Sequence, residues 1–207
     1  IGDYSTAASL LKENYFSGVN VEKYVVQLSE ILRAEADFES HDSLFVWLRS
    51  VHPDCETAIN YDLAQARISG DPSVLLKALH RKIELRPPGN REELGSLQSE
   101  AAWAAADAGD DTNALLFFHA VIAGGEITPD ILFATYEAAK RLGDGDALSQ
   151  LLDLARAHVE TIELWAPNVI REERYGVSEF ISSIWLDAGN VPAAIRSRLL
   201  HLQDLKL

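Results

Sequence analysis

This chain of 207 residues contains a single cysteine, Cys55. A disulfide needs two thiols, so none forms within the chain, and the multi-cysteine patterns of structural zinc sites are excluded. His52, Asp54 and Cys55 come closest to a metal-binding group, but Pro53 among them is explained by a helix end. We therefore expect no metal and no cofactor, and a single thiol fits a reducing compartment.

Long apolar segments are also missing. The longest uncharged apolar stretch, 114–123, has about ten residues, half of what a bilayer-spanning helix needs. We expect no membrane partner and a cytoplasmic location. The sequence has no methionine and begins at Ile1, so we expect it to start downstream of a translation start, which leaves a removed targeting segment open.

The chain has few basic residues. It contains 18 Lys and Arg but 32 Asp and Glu, which gives a net charge of -14. Such a field repels phosphate backbones, so nucleic acid is not an expected partner. One interpretation is a charged surface that keeps a monomer dispersed. The alternative is a basic or cationic protein partner. The sequence leaves the oligomeric state open.

The motifs of common enzymes are absent as well. The sequence has no G-x-S-x-G, no H-E-x-x-H, no phosphate-binding glycine loop and no aspartate-rich calcium loop. We therefore expect no enzymatic activity in this chain and assign no catalytic residue. A further alternative is a self-contained helical enzyme or small-ligand sensor that uses His52, Cys55 or the pair His80 and His119.

What the sequence does contain is helical periodicity. Apolar residues recur at spacings of three and four, as from Val21 to Leu32, whereas alternating strand patterns are nearly absent. Four glycines, each followed by an Asp or Asn, separate such segments, because glycine ends one helix and the next side chain caps another. These pairs are Gly70-Asp71, Gly109-Asp110, Gly143-Asp144 and Gly189-Asn190. The sequence predicts an all-α fold of about ten to twelve helices.

Eleven helices are predicted, and prolines at 53, 87, 88, 129 and 167 separate the helical hairpins. The predicted helices are 4–16, 20–35, 40–51, 55–69, 73–86, 92–108, 112–123, 130–142, 146–163, 168–188 and 192–205. Long flexible linkers are absent, so we expect one domain over 1–207. The segment 158–178 departs from the repeat, as a packing irregularity or as a feature made for a partner.

The glycine turns suggest a repeat, with spacings of 39, 34 and 46 residues. A small and a large apolar residue four apart, as in Ala114-x-x-x-Phe118, mark the second helix of a tetratricopeptide unit. Looser matches are Leu75 with Leu79 and Leu148 with Leu152, and first-helix positions hold the small residues Ala102 and Ser182 but also Leu63 and Tyr136. Residues 55–205 thus resemble a degenerate tetratricopeptide-like array, with 1–54 as a divergent hairpin or a cap.

That resemblance implies an α-solenoid of antiparallel hairpins, wound as a right-handed superhelix with a concave face made of first helices. Eight side chains are expected on that face: Asn60, Arg67, Trp103, Asp107, Phe133, Glu137, Lys140 and Arg141. Trp and Arg often dominate interface energies, so Trp103 and Arg67 are the expected anchors. The other interpretation of Trp103 is that it fills the core between hairpins.

The function implied by this architecture is a non-enzymatic scaffold module that binds a protein or a peptide on its concave face. The alternative is a helical accessory or regulatory domain of a larger enzyme whose catalytic domain lies outside this chain. Both hypotheses rest on similarity of fold. The arrangement of side chains at a binding site is needed to distinguish between them.

Overall fold

A computed structural model describes residues 4–13, 21–85, 89–169 and 173–204. The all-α prediction is confirmed, since within these ranges every regular element is a helix. The chain divides into two compact units, Ile1–Pro88 and Gly89–Leu207. The expected division into residues 1–54 and a repeat region 55–205 stays a prediction, as does the single domain. Pro87 and Pro88, predicted to separate two hairpins, lie outside the described residues, as do residues 170–172 of the segment 158–178.

The first unit consists of five described helices. They are α1 (Tyr4–Glu13), α2 (Val21–Ala34), α3 (Phe38–Val51), α4 (Glu56–Ser69) and α5 (Pro72–Leu85). Each contacts the next along the chain, and α1 also contacts α3. The core has side chains at helical spacing, with Val25, Leu32, Leu44 and Leu48 at most 1% exposed. Burial of these apolar stripes stabilises the unit.

The second unit has seven described α-helices and one short 3-10 helix. They are α6 (Arg91–Asp107), α7 (Asp111–Ala123), α8 (Pro129–Leu142), α9 (Gly145–Arg156), α10 (Val159–Trp165), the 3-10 helix Ala166–Asn168, α11 (Arg174–Asp187) and α12 (Val191–Asp204). Contacts run serially from α6 to α9, and α11 contacts α8, α9, α10 and α12. Within each unit, most helices therefore pack on a neighbour in sequence, as a repeat array requires.

The predicted turns are confirmed in detail. Gly70, Gly109, Gly143 and Gly189 all have φ between 68° and 72°, a left-handed conformation that glycine adopts at little cost. The residue after each glycine then accepts hydrogen bonds from the next helix. Asp110 accepts one from the Asn113 N–H at 3.2 Å, and Asp144 one from the Ala147 N–H at 3.0 Å. Local chemistry alone fixes these junctions.

The hairpin of α6 and α7 is the most extensively packed helix pair among the described residues. Ala101, Ala102 and Ala105 in α6 are fully buried, and so is Phe118 of α7. Alanines let the two backbones approach, and the Phe118 ring fills the space that they leave.

Two predicted helices differ most from the structure in their bounds. The expected helix 146–163 is wrong, because α9 ends at Arg156 and α10 begins only at Val159. The N–H groups of Ala157 and His158 donate to the carbonyls three residues earlier, at 3.1 and 3.0 Å. This tight turn redirects the chain, so that Val159 and Ile162 are buried in the core. The expected helix 168–188 is likewise shorter, since α11 starts at Arg174.

None of the described helices combines the length and the apolar character that crossing a bilayer requires.

Candidate functional site

The eight side chains expected on the concave face lie on three helices. Asn60 and Arg67 are exposed on α4 of the first unit. Trp103 and Asp107 lie on α6 of the second unit, and Phe133, Glu137, Lys140 and Arg141 lie on α8. Their joint role in binding stays a prediction. The four residues on α8 contact other helices of their unit, whereas Trp103 lines a groove.

Lys140 and Arg141 on α8 form ion pairs with other helices of their own unit. The Lys140 Nζ donates to Glu179 Oε2 at 2.6 Å, and this hydrogen bond raises the lysine pKa. The Arg141 Nε donates to Asp111 Oδ1 at 2.9 Å, which raises the pKa of the guanidinium. Both cations are thus matched within the fold by a carboxylate.

Phe133 and Glu137 lie where α11 crosses α8. A Cβ atom on Gly176 of α11 would come within 3.0 Å of the Phe133 ring and 3.7 Å of Glu137 Oε1, so glycine permits this close approach. The Phe133 ring also packs near Phe180, with centroids 6.0 Å apart. Glu137 Oε1 is buried and accepts no hydrogen bond from a described residue. This part of α8 is therefore covered by the chain itself.

Trp103, in contrast, opens onto a groove. The groove has a volume of about 1120 Å³ and lies between residues 91–103 of α6 and the end of α7. Its lining residues are Arg91, Glu92, Leu94, Gly95, Ser96, Gln98, Ser99, Glu100, Trp103, Ala120, Val121, Ala123, Gly124 and Glu126. We call it the Trp103 groove. Asp107, one turn further along α6, is not among them.

The Trp103 side chain has two roles. Its indole meets the buried ring of Phe118 edge to face, with centroids 5.1 Å apart and an interplanar angle of 84°. The residue nevertheless remains 39% exposed and forms a wall of the groove. An indole held on one side and open on the other is preorganised for contact with an apolar side chain.

Gly95 lies in the middle of the same groove. A Cβ atom there would meet nothing within 4 Å, so packing inside the fold does not require glycine. Glycine inside a helix costs about 1 kcal/mol relative to alanine. The glycine keeps one stretch of α6 bare, which lets an occupant approach the helix closely.

The charge of the Trp103 groove is negative. Glu92, Glu100 and Glu126 line it, and Arg91 is the one basic residue in the lining. The Arg91 Nη2 donates to the Gly124 carbonyl oxygen at 3.0 Å, which holds the guanidinium against the end of α7. The acidic side chains favour a basic occupant.

Sequence reasoning identified Trp103 but missed the rest of this groove. Leu94, Gly95, Gln98 and Ser99 precede the tryptophan on one helical face, at spacings of three and four. That periodicity was available in the sequence. The contribution of α7 was not, because it depends on how its last turn packs beside α6.

The first unit has a polar cluster near Asn60. Asp42 Oδ1 accepts a hydrogen bond from the Tyr61 hydroxyl at 2.9 Å and lies 3.1 Å from His41 Nδ1. The contacts with His41 and Tyr61 lower the pKa of Asp42. Burial, with the Asp42 hydrogen bond as second cause, raises the pKa of Tyr61 to about 12. The Tyr61 ring stacks on Phe45 at 4.2 Å, so the cluster ties α4 to α3.

Cys55 serves the structure as a helix cap. Its Sγ accepts a hydrogen bond from the Ala58 N–H at 3.4 Å, at the start of α4. His52, three residues earlier, is the C-cap of α3. Over the described parts of the chain, no three His, Cys, Asp or Glu side chains are grouped so as to hold a metal ion.

The sequence was also compared with known proteins. No protein-family model matches it, and no curated protein matches it either.

Proposed function

We propose that this chain is a non-enzymatic binding module, and that the Trp103 groove holds a basic, amphipathic segment of a partner protein. The observation that carries the proposal is the exposed indole of Trp103, which lines the same groove as the bare backbone at Gly95, eight residues earlier on α6. A single anchor residue in a preformed groove is a common source of interface energy.

Apolar contact supplies the first part of the recognition. Leu94 and Trp103 line one side of the groove, and Ala120 and Ala123 line the other. An amphipathic helix in a groove presents apolar side chains at spacings of three and four, which suits an occupant lying along α6.

Charge supplies the second part. Three glutamates line the groove in a chain with a net charge of -14. Lysine or arginine side chains on the polar face of the occupant would meet Glu92 and Glu126, which are both exposed. The electrostatic contribution should speed association and weaken as salt is added.

The architecture also supports a binding role. Serial packing of helices within each unit agrees with a helical repeat array, and we propose that this array is a degenerate tetratricopeptide-like superhelix. A cytoplasmic location and the absence of a nucleic-acid partner belong to the same proposal. The alternative role as an accessory domain of a larger enzyme stays a prediction.

The test uses two synthetic peptides of equal length. One is an amphipathic helix of leucine and lysine, and the other replaces each lysine with glutamate. We expect the lysine peptide to bind in calorimetry and the glutamate peptide to bind at least about tenfold more weakly. Trp103→Ala should weaken the lysine peptide by about tenfold or more.

A matched pair of charge variants completes this test. Glu126→Gln removes a carboxylate that lines the groove, whereas Glu160→Gln removes an exposed one on α10 outside it. We expect only Glu126→Gln to weaken the lysine peptide. Equal binding of both peptides, or equal effects of the two variants, would contradict the proposal.

A further inference from the structure

A second cavity lies at the other end of the second unit, remote in sequence from the Trp103 groove. It encloses about 680 Å³, a size typical of small-ligand sites. It is lined by α10, by the 3-10 helix that follows it, and by α11 and α12. We call it the α10–α12 cavity.

The segment that departs from the repeat builds one wall of this cavity. Glu163 of α10 and the 3-10 residues Ala166 and Pro167 belong to it, and α11 and α12 supply the remainder. The sequence left this segment open as a packing irregularity or as a feature made for a partner. Helix α10 and the 3-10 helix contact α11, and the cavity lies between these helices and α12.

The lining of the α10–α12 cavity combines apolar side chains with polar ones. Val177 and Ile181 are 2% and 6% exposed and belong to the core of the unit. The hydroxyl of Ser178 is satisfied, because it donates to the Ser197 carbonyl oxygen at 2.7 Å. The Trp185 indole is fixed by a 2.9 Å hydrogen bond from its Nε1 to Glu163 Oε1. These surfaces suit the apolar body of a ligand.

The lining of this cavity has more basic than acidic residues, whereas the chain as a whole has more acidic ones. Acidic residues outnumber basic ones 32 to 18 overall, yet two arginines and one glutamate line this cavity. The Arg174 Nε and Nη2 donate to the carbonyls of Val169 and Pro167 at 3.2 and 3.3 Å, which positions the guanidinium. Arg196 is exposed on α12. Guanidinium groups recognise carboxylates with strong, directed hydrogen bonds.

We infer that the α10–α12 cavity binds a carboxylate carried on an apolar body, with the carboxylate at Arg196 and Arg174 and the body over Val177, Ile181 and Trp185. Two sources share this chemistry: a free carboxylic acid and the C-terminus of a peptide that ends in apolar residues. This site is separate from the Trp103 groove and does not depend on the function proposed for it.

The test of the free acid uses decanoate, with decan-1-ol and decylamine as ligands of similar length but different charge. Titration is followed by calorimetry on the full chain. We expect decanoate to bind, and the alcohol and the amine to bind at least about tenfold more weakly, because a hydrogen bond to a charged group is lost.

The test of the peptide uses an acetylated peptide that ends in two leucines, with either a free or an amidated C-terminus. Preference for the free terminus with no binding of decanoate identifies a peptide as the source. Preference for decanoate alone identifies a small acid. If neither carboxylate binds, or if the neutral and cationic ligands bind as well as the anionic ones, the inference is overturned.

Matched variants locate the site. Arg196→Gln should weaken the binding carboxylate by about tenfold, whereas Arg198→Gln, with the same charge change on the same helix but outside the lining, should not. Ala193→Phe should fill the cavity and abolish binding. Circular dichroism and thermal unfolding check that each variant folds. Folded variants that bind as the wild type does would overturn the inference.

Discussion

The indole of Trp103 stands nearly perpendicular to the ring of Phe118, at an interplanar angle of 84° and a centroid distance of 5.1 Å. The first ring is 39% exposed and the second is fully buried. One aromatic pair therefore joins the core of the α6 and α7 hairpin to the wall of the Trp103 groove. Because the Trp103 ring packs on a buried ring of the core, this wall of the groove is held rigidly.

Phe118→Ala should destabilise the protein by about 3–5 kcal/mol, because it leaves a cavity in a closely packed core. Chemical denaturation measures this loss. Leu116→Ala is the control on the same helix, since Leu116 is 60% exposed, and it should change the free energy of unfolding by about 0.5 kcal/mol or less. A loss below about 1 kcal/mol for Phe118→Ala would contradict the packing described here.

Gly95→Ala and Gly109→Ala should have opposite effects on stability. A new Cβ atom meets nothing within 4 Å at either position, so only the backbone conformation differs. Gly95 lies inside α6, and alanine there should add about 1 kcal/mol. Gly109 has a φ of 72°, and alanine there should cost about 1–2 kcal/mol. Denaturation curves that shift in the same direction for both variants would show that one of these conformations is wrong.

Cys55→Ser should stabilise the first unit by a few tenths of a kcal/mol to about 1 kcal/mol. The Cys55 sulfur caps α4 over a distance of 3.4 Å, and sulfur is a weak acceptor, whereas serine is among the best N-cap residues. Cys55→Ala removes the acceptor and should be less stable than Cys55→Ser by about 0.5–2 kcal/mol. Equal melting temperatures for these two variants would rule out the capping role.

Alkaline pH should destabilise the protein through Tyr61. Burial raises the pKa of this phenol from 10.0 to about 12 in the folded chain. A group whose pKa is raised by folding adds stability below its unfolded pKa, and this is lost as the pH climbs from about 10 to about 12. Tyr61→Phe should remove that part of the loss. The difference in tyrosinate absorbance between wild type and variant isolates Tyr61, and a midpoint near 10 would refute the shift.

The sequence was sufficient to predict the features that neighbouring residues determine. A glycine followed by an Asp or Asn gives a left-handed turn and a helix cap whatever packs around it, so the junctions at Gly70, Gly109, Gly143 and Gly189 were placed correctly. Helical periodicity likewise predicted the all-α fold class.

Features that depend on distant residues were not predictable in this way. The break after Arg156 has no glycine or proline to mark it, and it exists because Val159 and Ile162 reach the core only after the chain turns. The cover over Phe133 and Glu137 comes from Gly176, about forty residues away on α11, and a periodic pattern within α8 cannot reveal it. Lys82 is 6% exposed although lysine is rarely buried, since its amine reaches Glu56 at 3.3 Å.

Two substitutions at Gly95 test the claim that the Trp103 groove is a binding site. Gly95→Gln places a long side chain in the groove, whereas Gly95→Ala changes the backbone in the same way and adds only one methyl group to the groove lining. The measurement is the ratio of their dissociation constants for the leucine–lysine peptide. We expect Gly95→Gln to bind about tenfold or more weakly, and a ratio near one, with both variants folded, would contradict the claim.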